Sequence, residues 1–189
     1  MSRVAVEMKE HMIQTCFKAI EGTEIDGAKV PLPTSIPWYP NDLAWHFSCP
    51  RSMLRRSEEL AMFQRFLMAQ TDDGNISRQE AVSMIPPMFM DAKPGQTILD
   101  MCAAPGSKTA QLIEAVTPVD DSLPQGLVIA NDADYKRAKM LVHQSKRLNS
   151  PCIIVTNHDA QRFPSLTVDE QGEKTKLEFD RILCDVPCR

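Results

Sequence analysis

The feature that most constrains this chain is the alternation of short apolar runs with helical stretches in its second half. The helical stretches span residues 108–116 and 135–148, and each lies between two apolar runs. The runs predict four strands, at Thr97–Met101, Gly126–Ala130, Cys152–Thr156 and Arg181–Cys184. Because continuously apolar strands joined through helices form parallel sheets covered on both faces, the pattern predicts a doubly wound α/β fold.

The first part of the chain has a different pattern. Residues 1–30 predict an amphipathic helix followed by a turn, since apolar residues recur there at helical spacing. Four of the eleven residues from 30 to 40 are prolines, which excludes a helix. We expect this segment to run extended over a surface, anchored by Trp38 and Tyr39.

A second helix is predicted over residues 52–69, with Ser52 as its cap. The turn-rich stretch that follows, Thr71–Asn75, is the best candidate for a domain boundary. We therefore divide the chain into a helical and proline-rich segment, residues 1–73, and an α/β domain, residues 74–189.

Composition excludes several classes of protein. The 189 residues include 21 Lys and Arg against 25 Asp and Glu, a net charge of −4, which excludes a wholly basic protein that wraps nucleic acid. No apolar run approaches the ~20 residues of a membrane helix. The six cysteines are scattered without a CxxC pair, which favours buried reduced thiols in an intracellular protein over a disulfide framework or a zinc site.

A segment of small residues, DMCAAPGSKT at positions 100–109, joins the first predicted strand to a helix. Small residues let the backbone approach a ligand, and the start of a helix presents unpaired N–H groups. The segment matches neither GxGxxG nor GxxxxGK[ST], because Cys102 and Ser107 stand where the second motif needs glycine. A ligand site without a phosphate cradle is therefore predicted.

Acidic residues follow each predicted strand: Asp100, Asp132, Asp159 and Asp185. The carboxyl ends of parallel strands meet at one edge of a sheet, so these residues are expected to line a common rim. Carboxylates accept hydrogens from ribose hydroxyls and from amines, which suits a nucleoside that carries positive charge. S-adenosylmethionine, a sulfonium, fits, although any single Asp can equally be a loop or helix cap.

The last residues place thiols beside an acid. Asp185 stands between Cys184 and Cys188, and an acid with a thiol can perform nucleophilic and general-base chemistry. We interpret Cys184 as a buried structural thiol and Cys188 as a functional residue.

Five segments together resemble the Sun-domain family of RNA cytosine-5-methyltransferases. The proline-rich stretch and the spacing are most similar to the eukaryotic tRNA (cytosine(34)-C(5))-methyltransferase branch. The segments are Arg78–Pro87, DMCAAPGSKT, Asn131-Asp132, Asn157–Ala160 and Asp185–Cys188. The resemblance implies a Rossmann-like S-adenosylmethionine-dependent methyltransferase sheet, with RNA, chiefly tRNA, as the substrate.

The resemblance also implies roles for individual residues. Asp132 would bind the ribose hydroxyls, Asp159 the adenine amine, and Asp185 the cytosine beside the cofactor. Cys188 would match the cysteine that helps to remove the proton from carbon 5. The methionine part of the cofactor would lie on Cys102, Ala103, Ala104, Pro105, Gly106, Ser107 and Lys108.

The chemistry of the family needs a second thiolate, which adds to carbon 6 of cytosine so that carbon 5 can attack the sulfonium methyl group. In the family the segment continues Ser-Gly-Asp-Gly after the first cysteine, whereas here Arg189 follows Cys188. The attacking cysteine belongs to a later loop. We therefore expect a truncated fragment that is inactive alone, with its fourth strand as an exposed apolar edge.

Basic residues give candidates for RNA contact, although a solvated helix face explains those of residues 131–150 equally well. The candidates are Arg51, Arg55, Arg56, Lys136, Arg137 and Lys139. The resemblance implies a nuclear location, with the nucleolus or cytoplasm as alternatives. Two other functions stay open: a non-catalytic module that binds S-adenosylmethionine or RNA, and a methyltransferase for small molecules or proteins.

Overall fold

The computed structural model describes residues 3–54, 56–118, 122–170 and 172–186. The chain divides into two units, Met1–Ile76 and Ser77–Arg189. Each unit has its own buried apolar cluster, so each is described by itself.

The first unit begins with the predicted amphipathic helix. Helix α1, Arg3–His11, continues through a π-helical turn, Met12–Phe17, into α2, Lys18–Ile20. One face of this continuous helix is buried, with Phe17 and Ile20 inside the apolar cluster. The N-terminal helix is therefore confirmed, and its end at Ile20 agrees with the expected turn.

Two short hairpins follow. Strands β1, Glu24–Ile25, and β2, Ala28–Lys29, pair around Asp26 and Gly27, which both have positive φ angles. Strands β3, Thr34–Ser35, and β4, Trp45–His46, pair around a 3₁₀ turn at Pro40–Asp42.

The aromatic residues do not anchor the proline-rich segment. Trp38 is 44% exposed, and its ring contacts that of Tyr39 at a centroid distance of 6.2 Å. Val30, Pro33 and Ile36 are the buried residues of this stretch. The prediction that Trp38 anchors the segment was wrong, because the alternation of the extended backbone buries smaller apolar side chains instead.

The helix predicted over residues 52–69 is two helices. Helix α3 spans Arg51–Leu54 and α4 spans Glu58–Asp72. Ser57, in an extended conformation, accepts a hydrogen bond from the backbone N–H of Leu60. Ser57 rather than Ser52 is therefore the cap of the long helix, since a side-chain acceptor at this position satisfies a first-turn donor.

The second unit contains the predicted parallel sheet, in the order β10-β5-β6-β7. It begins with a 3₁₀ turn, Ala81–Met84, and a short helix α5, Ile85–Phe89. The four parallel strands are β5 Thr97–Asp100, β6 Leu127–Asn131, β7 Ile153–Thr156 and β10 Arg181–Leu183. All four predicted strands are confirmed, with ends that differ by one residue.

Helices α6, Ser107–Val116, and α7, Tyr135–Ser145, join neighbouring strands and lie on one face of the sheet. A 3₁₀ turn, Lys146–Leu148, extends the second of them. The face beneath these helices carries alternate strand residues. Its buried residues are Ile98, Val128, Ala130 and Leu183, packed with Leu112, Val116 and Leu141 of the helices.

The cover of the opposite face of the sheet differs from the prediction, which places helices on both faces. A 3₁₀ turn, Ala160–Arg162, and a hairpin of β8, Thr167–Glu170, and β9, Glu173–Lys176, occupy the connection from β7 to β10, and its described residues include no α-helix. Ile182 on β10 is consequently 54% exposed, as expected for an apolar edge strand.

Gly126 should be essential to the packing of α6 on the sheet. A Cβ atom there would lie 2.6 Å from Val116 Cβ and 2.7 Å from Val116 O. We expect Gly126→Ala to destabilise the chain by about 1–3 kcal/mol in urea unfolding, because α6 must shift. Ser165→Ala is the control, since Ser165 is exposed and lies outside the helices and strands. Equal losses for both variants would contradict this account.

Candidate functional site

The loop between β5 and α6, residues 101–106, is held by the strands on either side of β5. Met101 N–H donates to Leu183 O of β10 at 3.0 Å, and Ala103 N–H donates to Asn131 O of β6 at 2.7 Å. The loop that sequence analysis singled out is therefore fixed at the carboxyl edge of the sheet.

Asn131 is a fully buried junction beneath this loop. Its Nδ2 donates to Met101 O at 3.1 Å and to His158 O at 2.8 Å. Its Oδ1 accepts from Thr156 Oγ1 at 2.9 Å and from His158 N–H at 3.0 Å. One amide thus joins the loops that follow three neighbouring strands. Sequence analysis quoted Asn131 but gave it no role.

Gly106 begins helix α6 in a left-handed conformation, with φ of 112°. A Cβ atom there would lie 3.0 Å from Leu141 Cδ1, so a side chain would press on α7. Within the described part of the chain, no side chain caps α6. Its first-turn N–H groups are therefore left to bind an acceptor from solvent or from a ligand.

A groove of about 480 Å³ lies over this loop and the start of α6. Six of the seven predicted cradle residues line it, and Gly106 is the exception. The lining residues are Gln79, Glu80, Ser83, Cys102, Ala103, Ala104, Pro105, Ser107, Lys108, Arg137, Asp185 and Val186. Sequence analysis missed Gln79, Glu80 and Ser83, although the segment that contains them belongs to the resemblance.

The groove contains an ion pair between α6 and the segment after β10. Lys108 Nζ lies 2.7 Å from Asp185 Oδ2, with the lysine more buried than the carboxylate. A charge-assisted hydrogen bond of this length orients both side chains. The pair therefore joins two predicted site residues from separate parts of the sequence.

Asp132 lies beneath the loop and outside the lining of the groove. Its Oδ1 accepts from Asp134 N–H at 3.0 Å and its Oδ2 from Ala104 N–H at 3.3 Å. Arg137 Nη2 lies 3.4 Å from the same Oδ2 and donates to Ala104 O at 2.7 Å. The carboxylate and the guanidinium together fix the backbone of Ala104.

The four carboxylates do not share one rim. Asp159 is exposed and caps the 3₁₀ turn Ala160–Arg162, accepting from Gln161 N–H at 3.0 Å. Asp100 is 1% exposed and accepts from Thr109 Oγ1 at 2.7 Å. Of the four, Asp185 alone lines the groove. The strand ends converge as expected, but side-chain direction alternates and separates the acids.

Burial changes the ionisation of two groups near the loop. It raises the pKa of Asp100 to about 6, against the hydrogen bond from Thr109, which lowers it. Burial, followed by the charges of Asp132 and Asp100, raises the pKa of Cys102. Cys102 is therefore a protonated thiol near neutral pH, and a poor nucleophile.

Among the other described thiols, Cys16 and Cys152 are buried as expected and Cys49 is half-buried. Cys184 is exposed, because Leu183 faces the helices and the next residue alternates away from them. The interpretation of Cys184 as a buried thiol was wrong. Cys188 lies outside the described residues.

The candidate RNA contacts lie in both units. In the first, Arg56 pairs with Asp26, while Arg55 and the side chain of Arg51 lie outside what the structure describes. In the second, Lys136 and Lys139 are exposed near the start of α7. Lys139 Nζ lies 4.7 Å from the centroid of the Tyr135 ring.

The described ranges contain no group of three or more His, Cys, Asp or Glu side chains that could hold a metal ion. Nor do they contain a helix long and apolar enough to cross a bilayer.

A family model described as "16S rRNA methyltransferase RsmB/F" matches residues 87–189, more than half of the chain. A crystal structure of a methyltransferase homologue from Pyrococcus horikoshii shares the fold, with a TM-score of 0.59 at 24% identity. That comparison covers 97% of this chain and 47% of the other.

Two curated relatives are more similar in sequence. A multisite-specific tRNA:(cytosine-C(5))-methyltransferase of Saccharomyces cerevisiae is 54% identical over 171 residues, covering 89% of this chain and 25% of the relative. A tRNA (cytosine(34)-C(5))-methyltransferase of Drosophila melanogaster is 57% identical over 162 residues, covering 84% and 22%. This chain therefore spans about a quarter of the length of these relatives.

The buried carboxyl of Asp100 should make stability depend on pH. Its pKa in the folded chain, about 6, lies above the ordinary value of 3.8 for an aspartic acid, so the folded state holds the proton more tightly. This stabilisation is complete below about pH 4 and is lost as the pH rises through 6, a change of about 3 kcal/mol. Asp100→Asn should lack that loss.

Urea unfolding of both proteins at pH 4 and pH 7.5 measures the effect. Other groups titrate alike in the two proteins, so the difference between them isolates Asp100. A constant difference in unfolding free energy across this pH range would contradict the assignment.

Proposed function

We propose that this chain, which belongs to the 16S rRNA methyltransferase RsmB/F family, is the cofactor-binding part of an RNA cytosine-5-methyltransferase. Its cofactor would be S-adenosylmethionine and its chief substrate tRNA. The observation that carries the proposal is the groove in which the Cys102–Lys108 loop meets the Lys108–Asp185 pair. The printed functions of the relatives from yeast and Drosophila support tRNA as the substrate.

The residues present fit a sulfonium amino acid. The uncapped first turn of α6 offers N–H groups to a carboxylate, and Asp185 adds negative charge near a sulfonium. The small residues Ala103 and Ala104 let the ligand approach the backbone. When bound, S-adenosylmethionine supplies the methyl group.

Asp132 is proposed as the acceptor for the ribose hydroxyls. Two of its hydrogen bonds go to backbone N–H groups, and a carboxylate has about four lone-pair positions, so further donors can be accepted. Arg137 Nη2 lies 3.4 Å from Oδ2 of Asp132, so the guanidinium must move aside for a ribose. Asp159, exposed beyond β7, is proposed to receive the adenine amine.

The residues at the other end of the groove would hold the cytosine. Lys108 orients Asp185, which is proposed to bind the base and to assist protonation of its ring nitrogen. Cys188 is proposed to help remove the carbon 5 proton. The resemblance places the attacking thiolate on a second cysteine in a later loop. We propose a nuclear location, which follows from the resemblance.

Calorimetric titration of this chain with S-adenosylmethionine tests the proposal. Asp132→Ala should weaken binding at least tenfold, because it removes the ribose acceptor and frees the Ala104 backbone. Asp132→Asn, of similar size, should also weaken it, which separates lost recognition from lost structure. Asp169→Ala, on the exposed hairpin, is the matched control. Absence of binding by the unaltered chain would overturn the proposed function.

The basic start of α7 is proposed to contact phosphates. Replacing Lys136 and Lys139 with glutamine should weaken tRNA binding and reduce the slope of log K against log salt by about 1.5. The matched control replaces Lys174 and Lys176, two exposed lysines of the β8–β9 hairpin. Filter binding at several salt concentrations gives the slope. An unchanged slope would identify the α7 lysines as an ordinary solvated face.

A further inference from the structure

One wall of the groove comes from a part of the chain that the proposed cofactor loop does not include. Gln79, Glu80 and Ser83 precede the sheet in sequence, yet they line the same groove as Lys108 and Asp185. None of the roles assigned above uses them.

This wall is held in place by hydrogen bonds to α6. Gln79 Nε2 donates to Gln111 Oε1 at 3.0 Å, and Gln111 Nε2 donates to Met84 O at 3.3 Å. Ser83 N–H donates to Glu80 O at 2.9 Å and closes the turn between them. The wall is therefore a fixed surface, and fixed acceptors bind with little loss of side-chain freedom.

The wall carries two acceptor groups that have no protein partner among the described residues. Gln79 Oε1 is buried and has no hydrogen-bond partner within the described part of the chain. The other charged groups of the groove are compensated: Lys108 pairs with Asp185, and Arg137 with Asp132. Glu80 pairs with no cation among the described residues. A ligand group rich in N–H donors is thus the natural complement.

The position of the wall favours the target base over the cofactor. Gln111 lies one helical turn beyond Ser107 and Lys108 on α6, so the wall lies beside the Lys108–Asp185 pair. The cofactor's amino-acid carboxylate would be repelled by Glu80. Val186, which is 44% exposed and lines the groove, offers an apolar contact suited to the face of a ring.

We propose that Gln79 and Glu80 recognise the exocyclic amine of the target cytosine, each accepting one of its two hydrogens. This inference rests on the proposed function, because it deepens the description of the same site. Uracil presents a carbonyl oxygen in place of the amine, and that oxygen would face two acceptors. The wall therefore selects cytosine over uracil.

Anisotropy titrations of the 189-residue chain with labelled RNA pentamers test this proposal. The pentamers differ at the central nucleotide alone: cytidine, uridine, or the riboside of pyrimidin-2-one, which lacks the amine. The unaltered chain should bind the cytidine pentamer about tenfold more tightly than the other two, the value of one charge-assisted hydrogen bond. Glu80→Ala should reduce this preference to less than twofold.

Two variants complete the design. Gln79→Met, of similar volume, should reduce the preference in part, since one acceptor remains. Glu173→Ala removes an exposed acid from the hairpin and should leave the preference at about tenfold. Because Glu80 is exposed, its replacement should leave the urea unfolding transition unchanged.

The outcomes separate the two proposals. No preference for cytidine in the unaltered chain, or a preference that survives Glu80→Ala, overturns the recognition of the amine. Binding of S-adenosylmethionine is measured by calorimetry on the same proteins. If the cofactor binds while the preference survives Glu80→Ala, the proposed function stands and this inference alone fails.

Discussion

The site depends on the hydrogen bonds of one buried amide, that of Asn131. Its two donors and its acceptor join the loop after β5 to the end of β7 and the residues that follow it. A buried amide is costly unless its polar atoms are satisfied, and here both of them are. The arrangement that satisfies Asn131 therefore also fixes the loop that forms the floor of the groove.

Charge in the groove is arranged by the same scaffold. Lys108 is on α6, which begins directly after the fixed loop, and it meets Asp185 after β10. Arg137, on α7, reaches back to the carbonyl of Ala104 and towards Asp132. Each cation thus joins a helix to the end of a different strand. These two ion pairs neutralise the other charged side chains of the groove. Glu80 is therefore the carboxylate that is available to a ligand.

Much of the second unit could be predicted from its sequence, because continuously apolar runs that alternate with helices are compatible with few arrangements other than a parallel sheet. The runs at β5, β6 and β7 are bounded by turns and joined by amphipathic helices, and the loop of small residues identifies the ligand-binding edge. Side-chain direction was less predictable. Asp100 is the last residue of β5 and Asp185 comes two residues after β10, yet the first accepts a hydrogen bond from Thr109 and the second faces the groove. A shift of one residue past a strand end reverses the direction.

The first unit was harder to predict for a different reason. Ser52 and Ser57 are both acceptable caps, and only the extended backbone at Ser57, followed by two glutamates, decides between them. Trp38 is large and apolar, but the prolines around it fix a backbone that exposes it. In each case the local sequence was compatible with two structures, and the backbone conformation of the folded chain decides between them.

The order of the strands places the residues proposed for the two ligands on either side of one crevice. Chain connections run outwards from β5 through β6 to β7 on one side, whereas β10 pairs on the other side. Such a reversal opens a crevice at the carboxyl end of β5, where the connecting loops diverge.

Asp132 and Asp159 follow the strands on one side of the crevice, and Asp185 follows the strand on the other. The wall formed by Gln79 and Glu80 is fixed through Gln111 to α6, which starts at the crevice itself. The residues proposed for the cofactor, Asp132 and Asp159, and the residue proposed for the target base, Asp185, therefore follow strands on opposite sides of β5.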